Sequence, residues 1–160
     1  MFIKYFLEIE DPYDRVEAAL LSEPWTWIPG EARAADDAGE QLMSDVGFAV
    51  TNGHRVDKQV EISLGQPVRT FAHARLPMSW NATGPAPLFP SFEADLEIAA
   101  LGPTRTQISI SGRYRPPMGA VGRAFDRALL HRVAEATVKD FLDRVGEKVS
   151  ARVHATGAGG

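Results

Sequence analysis

Residues 91–117 read SFEADLEIAALGPTRTQISISGRYRPP and carry the most regular pattern of the sequence. In the first half of this stretch apolar residues alternate with acidic ones, and in its second half Ile108, Ile110 and Tyr114 alternate with polar residues. A period of two is typical of antiparallel strands that bury one face and wet the other. Gly102-Pro103 lies where the chain would reverse. The stretch therefore predicts a β-hairpin with one face in the core.

A long helix is predicted after this hairpin. Residues 120 to about 149 contain no proline and only two glycines. Apolar residues recur at helical spacing in two overlapping stripes, which are Val121, Phe125, Ala128, Leu129 and Val133, and then Leu130, Ala134, Val138, Phe141, Leu142 and Val145. A helix of about 30 residues spans about 45 Å, enough to cross a whole sheet. We expect residues 150–160, which end in Gly-Ala-Gly-Gly, to form a disordered tail.

The first 50 residues predict one strand and two short helices. Residues 2–9 are aromatic and β-branched enough for a strand. Asp11 is a suitable N-cap and Pro12 suits the first helical position, so a helix is expected from Tyr13 to Leu21. A second helix is expected somewhere in residues 31–44, where alanine is frequent.

Further strands are predicted between these helices and the 91–117 hairpin. Asn52-Gly53 favours a tight turn between two alternating segments, the second of which runs from Val56 to Leu64. Residues 68–83 predict one long extended segment, with a bulge, an edge or a break at Pro77. Its even positions are expected to be buried, namely Val68, Ala72, Leu76, Met78 and Trp80.

Composition excludes several classes of function. The chain has 160 residues and no cysteine, so a single domain is expected, without iron–sulfur clusters, thiolate nucleophiles or cysteine zinc sites. The four histidines lack paired metal-ligand spacing, and no dinucleotide or phosphate-binding loop is present, so neither metal nor cofactor is expected. The net charge of -4 argues against nucleic acid as a partner. The N-terminal apolar stretch is too short and too charged for a signal peptide or membrane span, which indicates a cytoplasmic protein.

The order of these elements is strand, two helices, antiparallel strands and one long terminal helix. This order resembles that of the START-like superfamily, also called SRPBCC or the polyketide cyclase/dehydrase and lipid-transport group. The stretches that carry the resemblance are Leu88-Phe89-Pro90, the strand 92–98, Gly112 to Pro117, and Leu129 to Glu135. It covers residues 2–148, so residues 1–149 are expected to form one START-like domain.

The resemblance implies an α+β helix-grip fold, in which a curved antiparallel sheet wraps around the long C-terminal helix and leaves an apolar cavity. Members of the superfamily bind lipids, sterols or polyketides, and some catalyse cyclisation or dehydration. Small inward residues such as Ala74 and Ala94 beside the large Trp80 and Phe92 would permit such a cavity. The alternative is a filled core. The expected ligand-binding residues are Met78, Trp80, Phe92, Tyr114, Phe125, His131 and Val138.

Two polar features are candidates for specific chemistry. His131 shares a helical face with part of the second apolar stripe, where it could act as an acid or base or could simply pair with Glu135. The start of the long helix, with Arg113, Arg115 and Arg123 nearby, is a candidate anion site, although such arginines also form solvated rims.

Three functions remain open from the sequence. The leading hypothesis is binding or transport of a small hydrophobic or amphipathic molecule, lipid-like or polyketide-like, between the sheet and the last helix. The second is a cyclase or dehydratase that uses the same pocket. The third is a protein-interaction domain with a filled core, whose arginines meet an acidic partner. The sequence does not specify the ligand, the catalytic residues or the oligomeric state.

Overall fold

The structure is a computed structural model that describes residues 1–23, 26–29, 42–49, 55–82, 91–115 and 127–159. Two helices and seven strands lie in these residues. The strands are β1 (Phe2–Ile9), β2 (Leu42–Ala49), β3 (Arg55–Leu64), β4 (Val68–Arg69), β5 (His73–Ala82), β6 (Ser91–Gly102) and β7 (Arg105–Arg115). The helices are α1 (Tyr13–Ser22) and α2 (Arg127–Gly157).

The strands form one antiparallel sheet in the order β1-β7-β6-β5-β3-β2, with the two-residue β4 paired to β5. Helix α2 lies on one face of this open sheet and contacts β1, β2 and β7. The predicted α+β helix-grip architecture is therefore confirmed. Of the two short helices expected after β1, α1 is present. The second falls mostly outside the described residues, and its last positions, 42–44, belong to β2.

The hairpin predicted from residues 91–117 is β6 and β7. The two strands pair from Ser91↔Arg115 to Gly102↔Arg105, with an irregularity near Ala100. Their inward residues are buried and include Phe92, Leu96, Ile98, Ile108, Ile110 and Tyr114. The other hairpin, β2 with β3, is also present, while its Asn52-Gly53 turn lies outside the described residues.

Helix α2 buries one of the two predicted stripes. Ala134, Val138, Phe141, Leu142 and Val145 are all buried, as the second stripe predicts. Leu130, the first residue of the second stripe, is half-buried. The first stripe is wrong at Ala128, which is exposed, and at Leu129, which keeps 45% of its surface exposed, while Val133 is half-buried. A straight helix presents one continuous face to a sheet, so a second stripe turned away from that face meets solvent.

The prediction of a disordered tail from Ser150 is wrong for residues 150–157, which continue α2. Val149 and Val153 extend the buried face of the helix. Arg152 Nη2 lies 2.8 Å from Glu23 Oε2, and His154 Nε2 lies 3.4 Å from Asp11 Oδ2. The glycines at the end of the chain indicated where the helix stops, and these contacts with the α1 region keep it helical up to that point.

The long extended segment predicted for residues 68–83 is divided into β4 and β5 by a bend at Phe71 and Ala72. Val68 and Ala72 are therefore exposed, contrary to the prediction, whereas the alternation is correct from Leu76 to Trp80. Pro77 lies within β5 without breaking it. Its carbonyl accepts a hydrogen bond from the Gly65 amide at 2.8 Å, on the side of β3. In an antiparallel strand the N–H and C=O groups of one residue point to the same side. An N–H at position 77 would therefore also point toward β3, so the proline removes no hydrogen bond to β6.

Helix α1 begins as predicted but is capped differently. Its N-cap is Pro12, and no side chain caps it. The predicted cap, Asp11, instead has its carboxylate near His154, while its backbone carbonyl accepts a 2.8 Å hydrogen bond from the Thr106 hydroxyl. Asp11 thus ties α1 to both β7 and α2. Neither described helix has the length and apolar character that crossing a bilayer requires.

Candidate functional site

Three aromatic side chains form a row across the inner face of the sheet. Trp80 on β5 pairs with Phe92 on β6, and Phe92 pairs with Tyr114 on β7. All three are buried, and the Trp80 and Phe92 rings have centroids 4.7 Å apart at an interplanar angle of 41°. Side chains that face each other across neighbouring strands are in contact range. The register thus gathers three predicted ligand-binding residues into one wall, which we call the aromatic row.

The next row of the sheet carries small side chains. Met78 pairs with Ala94, and Ala94 pairs with Gly112. A Cβ at Gly112 would lie 2.2 Å from the Glu93 carbonyl oxygen and 2.6 Å from the Ala94 Cα. Only glycine allows β7 to approach β6 this closely, so Gly112 is required for the sheet geometry beside the aromatic row.

Helix α2 closes the inner side of the aromatic row with Phe141. The Phe141 and Trp80 rings have centroids 5.1 Å apart and an interplanar angle of 57°. Val138 lies one turn earlier on the same buried face. The helix and the sheet therefore both contribute apolar groups at this level, and Met78, at 4% exposure, is buried beside them.

The Tyr114 hydroxyl is the one polar group of the aromatic row whose environment is unusual. The side chain is buried, and its hydroxyl oxygen has no hydrogen-bond partner among the described residues. Burial raises the pKa of Tyr114 from 10.0 to about 12, so the phenol stays protonated at alkaline pH as well as at neutral pH. A buried hydroxyl without a partner is destabilising, and it gains free energy when a ligand supplies one.

His131 lies near the same end of the sheet. Met1 and Tyr114 exchange two backbone hydrogen bonds, the Met1 amino group donating at 3.0 Å and the Tyr114 amide at 2.8 Å. The His131 Nδ1 atom is 2.9 Å from the Met1 sulfur, and its Nε2 atom is 3.1 Å from Glu135 Oε1. His131 thus makes the pairing with Glu135 that the sequence offered as the alternative to a role as acid or base. Its side chain is 40% exposed, at the rim of the interior.

The candidate anion site does not join the aromatic row. Arg113 and Arg115 are exposed and alternate with the buried Tyr114, so they point to the opposite face of the sheet. Arg115 Nη2 lies 3.4 Å from Glu93 Oε1, on that outer face. Arg123 and Phe125, the other two predicted site residues in this region, lie outside the described residues.

The described part of the interior is packed. Phe92, Leu96, Ile108, Ile110, Phe141 and Leu142 have no exposed surface. Two open depressions lined by described residues lie elsewhere. One, of about 500 Å³, lies between α1 and the last turns of α2, and the other, of about 430 Å³, lies between β1 and α2. A cavity between the sheet and the helix stays a prediction. Its expected place is the end of the sheet that carries the aromatic row, where β5 is followed by residues 83–90 and β7 by residues 116–126.

Two contributors to this site were not selected from the sequence. Phe141 was assigned to a core stripe, and its contact with Trp80 depends on where the helix crosses the sheet. Met1, which contacts His131, gave no signal in the sequence. The alignment of Trp80 with Phe92 depends on strand register, which the connection between β5 and β6 leaves unspecified in the sequence.

Comparisons with known proteins identify the fold. A START superfamily protein from Mycobacterium smegmatis superposes with a TM-score of 0.52 at 14% identity, covering 97% of this chain and 98% of that one. The Zhui aromatase/cyclase from Streptomyces sp. R1128 superposes with a TM-score of 0.55 at 12% identity, covering 96% of this chain and 93% of that one. The chain has the START-like, or SRPBCC, fold. Norcoclaurine synthase from Thalictrum flavum was solved in complex with dopamine and hydroxybenzaldehyde. It superposes with a TM-score of 0.55 at 12% identity, covering 97% of this chain and 87% of that one. No family model and no curated protein matches the sequence.

Proposed function

We propose that this START-like chain binds a small hydrophobic or amphipathic molecule at the aromatic row, between the sheet and the N-terminal half of α2. The observation that carries the proposal is the buried Tyr114 hydroxyl without a partner among the described residues. A lipid-like or polyketide-like molecule with an oxygen acceptor near an apolar body matches this chemistry.

The apolar groups supply most of the affinity in this proposal. Trp80, Phe92 and Phe141 bring aromatic rings together from both the sheet and the helix. Met78 is flexible and polarizable, which lets the wall adapt to different ligand shapes. The protonated Tyr114 phenol donates a hydrogen bond to a carbonyl, carboxylate or hydroxyl oxygen and so fixes the orientation of the ligand.

Native mass spectrometry of the purified chain tests the proposal first. A small molecule that copurifies and is released on denaturation is the expected result. A titration with anilinonaphthalene sulfonate, a fluorescent amphipathic probe, then locates the site. We expect Tyr114→Phe to weaken probe binding by about tenfold, the effect of one lost hydrogen bond to a charged group.

Tyr5→Phe is the matched control. Tyr5 has the same side chain, and its hydroxyl donates a 3.1 Å hydrogen bond to Asp143, away from the aromatic row. This variant should bind the probe as the wild type does. Equal affinities of the wild type and Tyr114→Phe, with no copurified molecule, would refute binding at the aromatic row.

An enzyme of the cyclase or dehydratase kind is the second candidate. The observation that favours it is the place of His131 beside Met1, which exchanges backbone hydrogen bonds with Tyr114, because an imidazole that can transfer protons then lies at the end of the sheet with the aromatic row. Under this hypothesis His131→Ala abolishes turnover of a polyketide-like substrate while the thermal unfolding temperature is kept. Turnover at the wild-type rate in His131→Ala would remove His131 from the mechanism.

A further inference from the structure

Strand β1 has an exposed edge and an unusual outer face. It is the terminal strand of the sheet, and β7 is its one strand partner among the described residues. Its outward side chains include two large aromatic residues, Phe2 at 64% exposure and Phe6 at 54%. Edge strands of this kind are normally shortened, charged or covered, because they can pair with another strand. Lys4 and Glu8 give this edge one charge of each sign, so it can pair with a strand that carries complementary charges.

The backbone groups of this edge are directed outward at alternate residues. Met1 and Tyr114 exchange two backbone hydrogen bonds, so the odd-numbered residues of β1 bond to β7. The even-numbered residues direct their N–H and C=O groups to the opposite side. These are Phe2, Lys4, Phe6 and Glu8, and all four are exposed.

An open depression of about 430 Å³ lies beside this edge. Of the residues that the structure describes, it is lined by residues 7–10 and by Asp143, Gly146, Glu147 and Ser150 of α2. Gly146 brings the helix against the inner side of Leu7, because a Cβ there would lie 2.9 Å from Leu7 Cδ2. The helix thus packs under β1 and leaves its edge uncovered.

We propose that two copies of this chain associate through β1, whose strands pair antiparallel about a two-fold axis at Phe6. In this register Phe6 faces Phe6 of the second copy, and Lys4 faces Glu8 in both directions. Each facing pair consists of residues whose backbone groups point to the edge, so the ladder hydrogen bonds form as well. The two sheets join into one continuous sheet.

Charge complementarity selects both the partner and the register. A strand with the order Phe2, Lys4, Phe6, Glu8 on one face is self-complementary when it is reversed. Shifting the axis to Lys4 would place two lysines opposite each other, which is unfavourable. Glu8 also lies 3.6 Å from Arg105 of its own chain, at an exposed position that can accommodate a second cation.

Sedimentation velocity over a range of protein concentrations tests the proposal, with any purification tag placed at the C-terminus. The wild type should show a monomer–dimer equilibrium. Lys4→Glu and Glu8→Lys should each raise the dissociation constant by about tenfold or more, because each replaces two attractive pairs by two repulsive ones. The double variant Lys4→Glu/Glu8→Lys restores the complementarity and should dimerise within about threefold of the wild type.

The double variant separates an interface effect from a folding defect, since it carries both substitutions. Phe71→Ser is the control for general apolar surface, because Phe71 is fully exposed far from β1 and should leave the dissociation constant unchanged. A wild type that stays monomeric at the highest attainable concentration overturns the proposal. So does a dimer that is insensitive to both single charge reversals, or a double variant that stays as weak as the single ones.

Discussion

At the scale of single residues, the Tyr114 hydroxyl joins stability to binding. The group is buried, it lacks a partner among the described residues, and its removal should relieve an unfavourable burial. We expect Tyr114→Phe to raise the free energy of unfolding by about 1 kcal/mol in urea denaturation of the ligand-free chain. A loss of stability of that size would mean that the hydroxyl already has a partner.

The same residue predicts a pH dependence. Its pKa is raised from 10.0 to about 12, so in this range the folded chain keeps a proton that the unfolded chain releases. The stabilisation is complete below pH 10 and is lost as the pH rises through about 12. Unfolding free energies measured from pH 9 upward should fall more steeply in the wild type than in Tyr114→Phe. A shallower decline should persist in the variant, because burial also raises the pKa of Tyr13.

Gly112 offers a test of the strand geometry beside the aromatic row. Gly112→Ala places a Cβ against the backbone of Glu93 and Ala94, which cannot rotate away as a side chain would. We expect a loss of about 3 kcal/mol in the free energy of unfolding, measured by urea denaturation. Gly102→Ala is the matched control, since no atom lies within 4 Å of its added Cβ, and it should change stability by less than about 0.5 kcal/mol. Equal effects of the two substitutions would contradict the close approach of β7 and β6.

At the scale of elements, α2 is stabilised at its C-terminal end by α1. Removing residues 151–160 deletes the buried Val153 and the pairs of Arg152 with Glu23 and His154 with Asp11. We expect this truncation to cost about 2 kcal/mol, mostly from the exposed apolar surface, as measured by thermal or urea unfolding. Removing only residues 158–160 should have no measurable effect. A full truncation that is equally neutral would support the disordered tail that the sequence predicted.

The elements also mark where sequence patterns are sufficient. The alternation in residues 91–117 and the second stripe of α2 predicted both the strands and the buried faces, because each element exposes one side and buries the other. The pattern failed at Val68 and Ala72, where a bend ends the alternation. It also failed at Leu129, since two stripes fit one helical sequence and only the sheet determines which of them is buried.

At the scale of the whole molecule, the order of elements predicted the helix-grip fold, but the site depends on registers that sequence does not encode locally. Trp80 comes to Phe92 and Tyr114 through pairing across the connection between β5 and β6, and Phe141 joins them through the crossing of the helix. The same registers separate Arg113 and Arg115 from Tyr114 by turning them to the outer face. Apolar patterning thus identified the inward residues, while their grouping required the three-dimensional structure.

Binding of a ligand at the aromatic row can be observed through the tryptophan indole signals in a ¹H–¹⁵N NMR titration with anilinonaphthalene sulfonate. Trp80 lies in the row, whereas the indole of Trp27 donates a 2.6 Å hydrogen bond to the Leu20 carbonyl beside α1. If the ligand binds at the aromatic row, we expect a saturable shift of the Trp80 indole signal and an unchanged Trp27 signal. A shift of Trp27 with Trp80 unmoved, or no shift of either at saturation, would contradict binding at the aromatic row.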